Sequence, residues 1–164
     1  MNKEIEDSLN NIFAAHEKKQ EHAQTEKQRQ ETREDVFLKS FNEHVRTVIR
    51  PAFTAIGAYV ESKGHAYKVD ETADRTEADG RHHNATVAIH FFPHAESSGG
   101  DRPHEWPSFT VYCNERNEKV SFHQSTISPW RGGSAGSIGD ASLSAVTPES
   151  IQKQLVTMLR EVFK

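Results

Sequence analysis

The chain predicts an α+β fold: a long N-terminal helical arm, then a kinked helix, a four-stranded antiparallel meander and a C-terminal helix packed on one face of the sheet. Three observations lead there. The first fifty residues contain no glycine and no proline, whereas the remaining 114 hold all nine glycines and all six prolines. Apolar residues recur at helical spacing up to residue 60, and beyond residue 64 they alternate every second position in short runs separated by turn-forming residues. A last helical stripe closes the chain.

Nothing in the first fifty residues forces the backbone out of a helix. Ile5, Leu9, Ile12 and Phe13 recur at three- and four-residue steps and so share one face. Continuing that alternation brings His16, Lys19, Ala23, Glu26, Gln30 and Arg33 to the same face before Phe37. Residues 16–35 hold one apolar side chain, Ala23. A self-sufficient coiled coil needs an apolar seam over several successive heptads, and this seam is apolar only at its ends. Charge pairing adds little. Glu17 faces Glu21 and Glu31 faces Asp35 with like charge, while Glu26 and Arg29 form one favourable pair. Residues 1–35 therefore read as a polar helical arm, and residues 36–164 as an α+β domain. The arm is either a solvated tail or a spacer carrying an apolar hook that docks on a partner or sister subunit. As a helix, residues 3–35 extend roughly 50 Å.

From Val36 the pattern changes. Phe37, Phe41, Val45, Val48, Ile49, Ala52, Phe53, Ile56 and Val60 trace one broad stripe that stays in phase across Pro51. That continuity predicts one kinked helix over residues 35–62, because a break would reset the phase. Pro51 removes a hydrogen bond at a cost of about 3 kcal/mol, which burial of the stripe must offset. Gly64 is the expected stop.

Residues 65–69 and 84–92 read as strands, the second with Ala85, Val87, Ile89 and Phe91 on one face. The charged stretch between them, residues 70–83, reads as a turn, and residues 94–107 as a long loop. Residues 108–113 and 119–126 pair as a hairpin across residues 114–118. Phe109, Val111 and Cys113 share a face with Val120 and Phe122. Four strands joined by turns without an intervening helix favour an antiparallel meander. Residues 128–146 are rich in Gly, Ser and Ala and lack periodicity, so they are read as a loop. Thr147 then caps a final helix with Pro148 in its first turn and a stripe of Ile151, Leu155, Met158, Leu159 and Val162.

A formal charge of −4 gives no general attraction for nucleic acid or anionic lipid. The single cysteine, Cys113, excludes an intrachain disulfide, and no apolar run approaches 18 residues. The expected compartment is the cytoplasm. Ten histidines make the charge sensitive to mild acid.

The densest chemistry lies at His82, His83, His90, His94 and His104. Imidazole is a common metal ligand, and His90, His94 and His104 are the candidate ligands for a zinc ion. Their spacing lacks the one-face geometry of H-E-x-x-H, so plain surface histidines are the competing reading. Cys113 lies on the face expected to be buried and reads as core. Residues 131–140, from Arg131 to Asp140, are glycine-rich, with Arg131 as a candidate anion ligand. They lack both the G-K-[ST] ending of a P-loop and the G-x-G-x-x-G fingerprint. The carboxylates near strands form no nuclease-like Asp…Glu-x-Lys pattern. Trp106 and Tyr112, with Phe92 and Trp130, suit an exposed protein-binding face better than a nucleic-acid surface.

Two functions follow from these residues. The first is a non-enzymatic interaction or accessory module that self-associates or docks through its N-terminal helix. Its interface residues would be Ile5, Leu9, Ile12, Phe13, Trp106 and Tyr112, and it would use no cofactor. The alternative is a small enzyme or ligand-binding domain that uses the histidine-rich segment 82–104 and the glycine-rich segment 131–140.

Overall fold

The computed structural model describes residues 2–93, 105–129 and 131–164. Two compact units divide the chain, Met1–Val36 and Phe37–Lys164. Helix α1, Lys3–His44, supplies residues 3–36 of the first and opens the second.

In the first unit every residue from Asn2 to Arg29 is exposed. The helix is held by its own ladder and by local polar bonds. Asn2 Oδ1 accepts from the Glu4 amide at 3.2 Å, and the Ser8 hydroxyl donates to the Glu4 carbonyl at 2.8 Å. Glu26 and Arg29 meet at 3.3 Å, both well exposed. Such pairs contribute only a few tenths of a kcal/mol, roughly 0.2–0.5.

Burial begins at Phe37. The residues facing the core then fall at every fourth position: Phe37, Phe41, Val45, Ile49 and Phe53. Four residues of α-helix turn about 400°, so a strict four-residue stripe drifts about 40° per step. Over four steps it would swing off the core. The drift is corrected by a π-helical segment, Val45–Ile49, in which the Arg50 amide bonds to the Val45 carbonyl five residues back. More residues per turn rotate the stripe back to the sheet. Helix α2, Arg50–Ser62, follows with Pro51 in its first turn. The helix expected to kink at Pro51 thus runs on through it, with a π segment placed directly before the proline. The Gly64 amide bonds to the Glu61 carbonyl at 3.0 Å and ends the helix where expected.

The strands are β1 (Ala66–Thr72), β2 (Arg75–Thr76), β3 (His82–His83), β4 (Thr86–Phe92), β5 (Ser108–Asn114), β6 (Lys119–Ser125) and β7 (Ala135–Ala141). The main sheet has the order β1-β4-β5-β6-β7 with every neighbour antiparallel, and β2 and β3 form a separate two-stranded ribbon. A fifth strand therefore stands where a glycine-rich loop is expected. β7 is an edge strand bonded on one side to β6, and its single large apolar residue, Ile138, is exposed. A strand that buries no face needs no alternating pattern, which is why periodicity does not reveal it. Gly133 admits the turn into β7: a Cβ there would stand 2.6 Å from the Thr126 backbone.

Cross-strand pairs Val69–Ile89, Ile89–Phe109, Val87–Val111, Val111–Phe122 and Cys113–Val120 build the inner face. Phe53 meets Phe109 edge-on with ring centroids 6.1 Å apart, tying helix to sheet. Helix α3, Pro148–Val162, packs against α2 and the π segment, with Ile151, Leu155 and Met158 fully buried. Each such side chain stabilises the body by about 1.5–3 kcal/mol. Its first turn carries a reciprocal cap, in which the Thr147 hydroxyl accepts from the Ser150 amide and the Ser150 hydroxyl from the Thr147 amide.

Gly57 marks the closest approach of α2 to the sheet, because a Cβ there would lie 2.3 Å from the Tyr67 ring. Overpacking costs about 1–3 kcal/mol, and alanine returns about 1 kcal/mol of helix propensity. Gly57→Ala should therefore destabilise by about 1 kcal/mol net, read as a lower urea midpoint at unchanged slope. An unchanged or raised midpoint would contradict this packing.

Candidate functional site

The three-residue loop 78–80, which holds Asp79-Gly80, folds residues 75–83 back on themselves. The Glu77 amide bonds to the Arg81 carbonyl at 2.8 Å, and Thr76 pairs with His82. β3 runs on into β4, whose neighbour β5 extends past the start of β4. The Cys113 amide bonds to the Ala85 carbonyl, and the next turn carries Glu115. Three segments remote in sequence thereby converge on one point.

That point holds Asp74, His82 and Glu115, whose donor atoms all lie within 4.8 Å of one another. His82 Nε2 stands 2.9 Å from Asp74 Oδ1 and 3.4 Å from Glu115 Oε1. On its other side, His82 Nδ1 contacts the Thr76 hydroxyl at 3.0 Å, which fixes the ring plane. The carboxylates are the more enclosed partners, with Asp74 20% and Glu115 13% exposed against 43% for His82. Burial, and then the neighbouring Asp74 carboxylate, push the Glu115 carboxyl up to about 7, with His82 pulling the other way. The same enclosure, with Glu115 and Asp74 adding negative charge, pushes the buried Cys113 thiol up to about 12. Cys113 is therefore a protonated core residue, not a nucleophile. One imidazole between two carboxylates can share a proton or hold a cation.

The residues singled out from sequence are distributed otherwise. His90 lies half-buried on β4, 3.5 Å from Asp70 Oδ2. It joins no cluster of metal-ligating atoms among the described residues, while His94 and His104 lie outside the described residues. Among the described residues, ligand geometry is found around His82. Arg131 donates to the Lys164 carbonyl at 2.6 Å, beside the Glu161 carboxylate. β7 is separated from His90 by β5 and β6, so the glycine-rich segment and this histidine do not share a pocket. Trp106 is 5% exposed and packs edge-on against Phe92 at 5.2 Å, which corrects its reading as an exposed anchor. Tyr112 is exposed beside His123, and Trp130 lies outside the described residues.

Ile5, Leu9, Ile12 and Phe13 are 38–61% exposed. On the body, the C-terminal parts of α2 and α3 flank an apolar groove of about 490 Å³, with Tyr59, Val156 and Phe163 open to solvent. Its lining includes Lys63, His65 and Arg160 and, among the described residues, no carboxylate. No helix among the described residues is long and apolar enough to cross a membrane. No known protein family, curated protein or solved structure matches the chain.

Asp74 and the Asp79-Gly80 turn are what sequence reading misses. An Asp-Gly pair is a strong turn signal; here it closes a three-residue loop, Ala78–Gly80 with Gly80 at positive φ, and that loop length sets Thr76 opposite His82.

The Glu115 carboxyl is raised, so the folded protein retains a proton that the unfolded chain releases above about 4.5. Its contribution to stability is present below that value and is lost as pH rises through about 7. The groups facing it are Asp74, His82 and Cys113. In chelated buffer, carbon-detected NMR should give a Glu115 midpoint near 7, and Glu115→Gln should flatten the fall in stability between pH 5 and 7.5. A midpoint near the ordinary 4.5 would refute the assignment.

Proposed function

We propose that this protein is a non-enzymatic interaction module that self-associates, the N-terminal hook of one copy seating in the groove between α2 and α3 of another. The observation that carries this reading is the run of exposed apolar residues Ile5, Leu9, Ile12 and Phe13 at the start of a helix whose residues 16–35 hold no apolar side chain but Ala23. Singly exposed apolar residues are ordinary, but four on one helical face are a patch without a partner.

Charge favours the groove as the receiving surface. The hook carries Glu4, Glu6 and Asp7 against Lys3 alone, and the groove offers Lys63 and Arg160. Complementary charge sets orientation and suppresses wrong partners. Energetics favour a reciprocal exchange. Burying four large side chains supplies roughly 6–12 kcal/mol at best, against an association cost of about 4–15 kcal/mol. One insertion is marginal. Two insertions in a two-fold dimer share a single association cost and close the assembly.

Light scattering of the full chain at tens of micromolar should give a dimer. Ile12→Glu with Phe13→Glu should give a monomer, as should Val156→Glu in the groove and a chain beginning at Glu34. A monomeric parent, or a hook variant that stays dimeric, would sink the proposal. Dissociation by the hook variant but not by Val156→Glu would leave hook-to-hook pairing in place of the groove.

A further inference from the structure

We propose that Asp74, His82 and Glu115 form a binding site for a divalent transition-metal ion, with Zn²⁺ the best match to one imidazole and two carboxylates. Tetrahedral zinc with bonds of about 2.0–2.1 Å places its donor atoms about 3.3 Å apart. His82 Nε2 lies 2.9 and 3.4 Å from the two carboxylate oxygens, close to that edge length. The ligands come from three separate segments, the β1–β2 connection, β3 and the β5–β6 turn, so the geometry is set by the fold and not by one flexible loop.

Two further observations point to a cation. Asp74 Oδ1 is shut off from solvent and makes no hydrogen bond among the described residues, although Nε2 stands 2.9 Å away. The Nε2 contact aligned as a hydrogen bond is the one to Glu115. A buried carboxylate oxygen that accepts no hydrogen bond is costly unless a positive charge meets it. The Thr76 hydroxyl at Nδ1 occupies the place of the outer partner that orients metal-binding histidines. A dication would neutralise both carboxylates. His82 is the exposed side of the cluster, which leaves the remaining coordination position to water or a small anion.

The site uses none of the hook or groove residues, so each reading stands or falls separately. Untagged full-length protein, stripped with chelator, should bind one Zn²⁺ per chain by calorimetry and elemental analysis. His82→Ala, Asp74→Asn and Glu115→Gln should each weaken binding at least tenfold, Thr76→Val less, and His123→Ala not at all. On the unaltered protein, Zn²⁺ should shift backbone amide NMR signals chiefly at residues 74–76, 82 and 115. Absence of binding, binding that survives His82→Ala, or shifts centred on other histidines would each overturn the proposal.

Discussion

The contact on which the rest of this fold depends is the face of α1, the π segment and α2 laid against the sheet. Phe37, Phe41, Val45, Ile49 and Phe53 meet a wall made by Val87, Ile89, Phe109 and Val111. A four-residue repeat does not match the α-helical period, and the mismatch is absorbed by five residues of π-helix. Pro51 follows at the point where the hydrogen-bond pattern has already changed. The helix, the proline and the stripe therefore form one solution to one geometric problem. α3 packs against α2 and the π segment and adds Ile151, Leu155 and Met158 to the same core.

The same contact determines what is left over. Burial starts at Phe37, so residues before it have no part in the core and are held as helix by local bonds alone. Isolated helices draw most of their stability in proteins from packing of an apolar face. The first unit offers such a face only at Ile5, Leu9, Ile12 and Phe13, and these lie open. A helix of this composition gains most from a partner that covers its first four turns.

Much of this was legible in the residues themselves. The stripe from Phe37 to Val60, the alternation in β4 and the Thr147 cap are strong local signals, because each reflects one physical period or one hydrogen bond. What stayed hidden lacks a period. β7 is an edge strand of mostly Ala, Gly and Ser, with one exposed Ile138, that pairs through its backbone, so no alternation in its side chains marks it. Trp106 reads as a surface anchor because single residues carry no sign of burial, and only the contact with Phe92 places it. The Asp74–His82–Glu115 cluster is a product of topology. The ribbon of β2 and β3 turns His82 toward Asp74, and the β5–β6 turn adds Glu115, a convergence that no spacing in the histidine-rich segment encodes.

The central claim is that the stability of one continuous helix is divided at Phe37, with the part before it dependent on association. Hydrogen exchange on the full chain tests this most directly. At low protein concentration, amides of residues 38–62 should exchange only by global unfolding, and those of residues 5–33 should exchange far faster. Raising the concentration should slow exchange at residues 5–15 selectively. Uniform protection along residues 5–62 at every concentration would contradict the account.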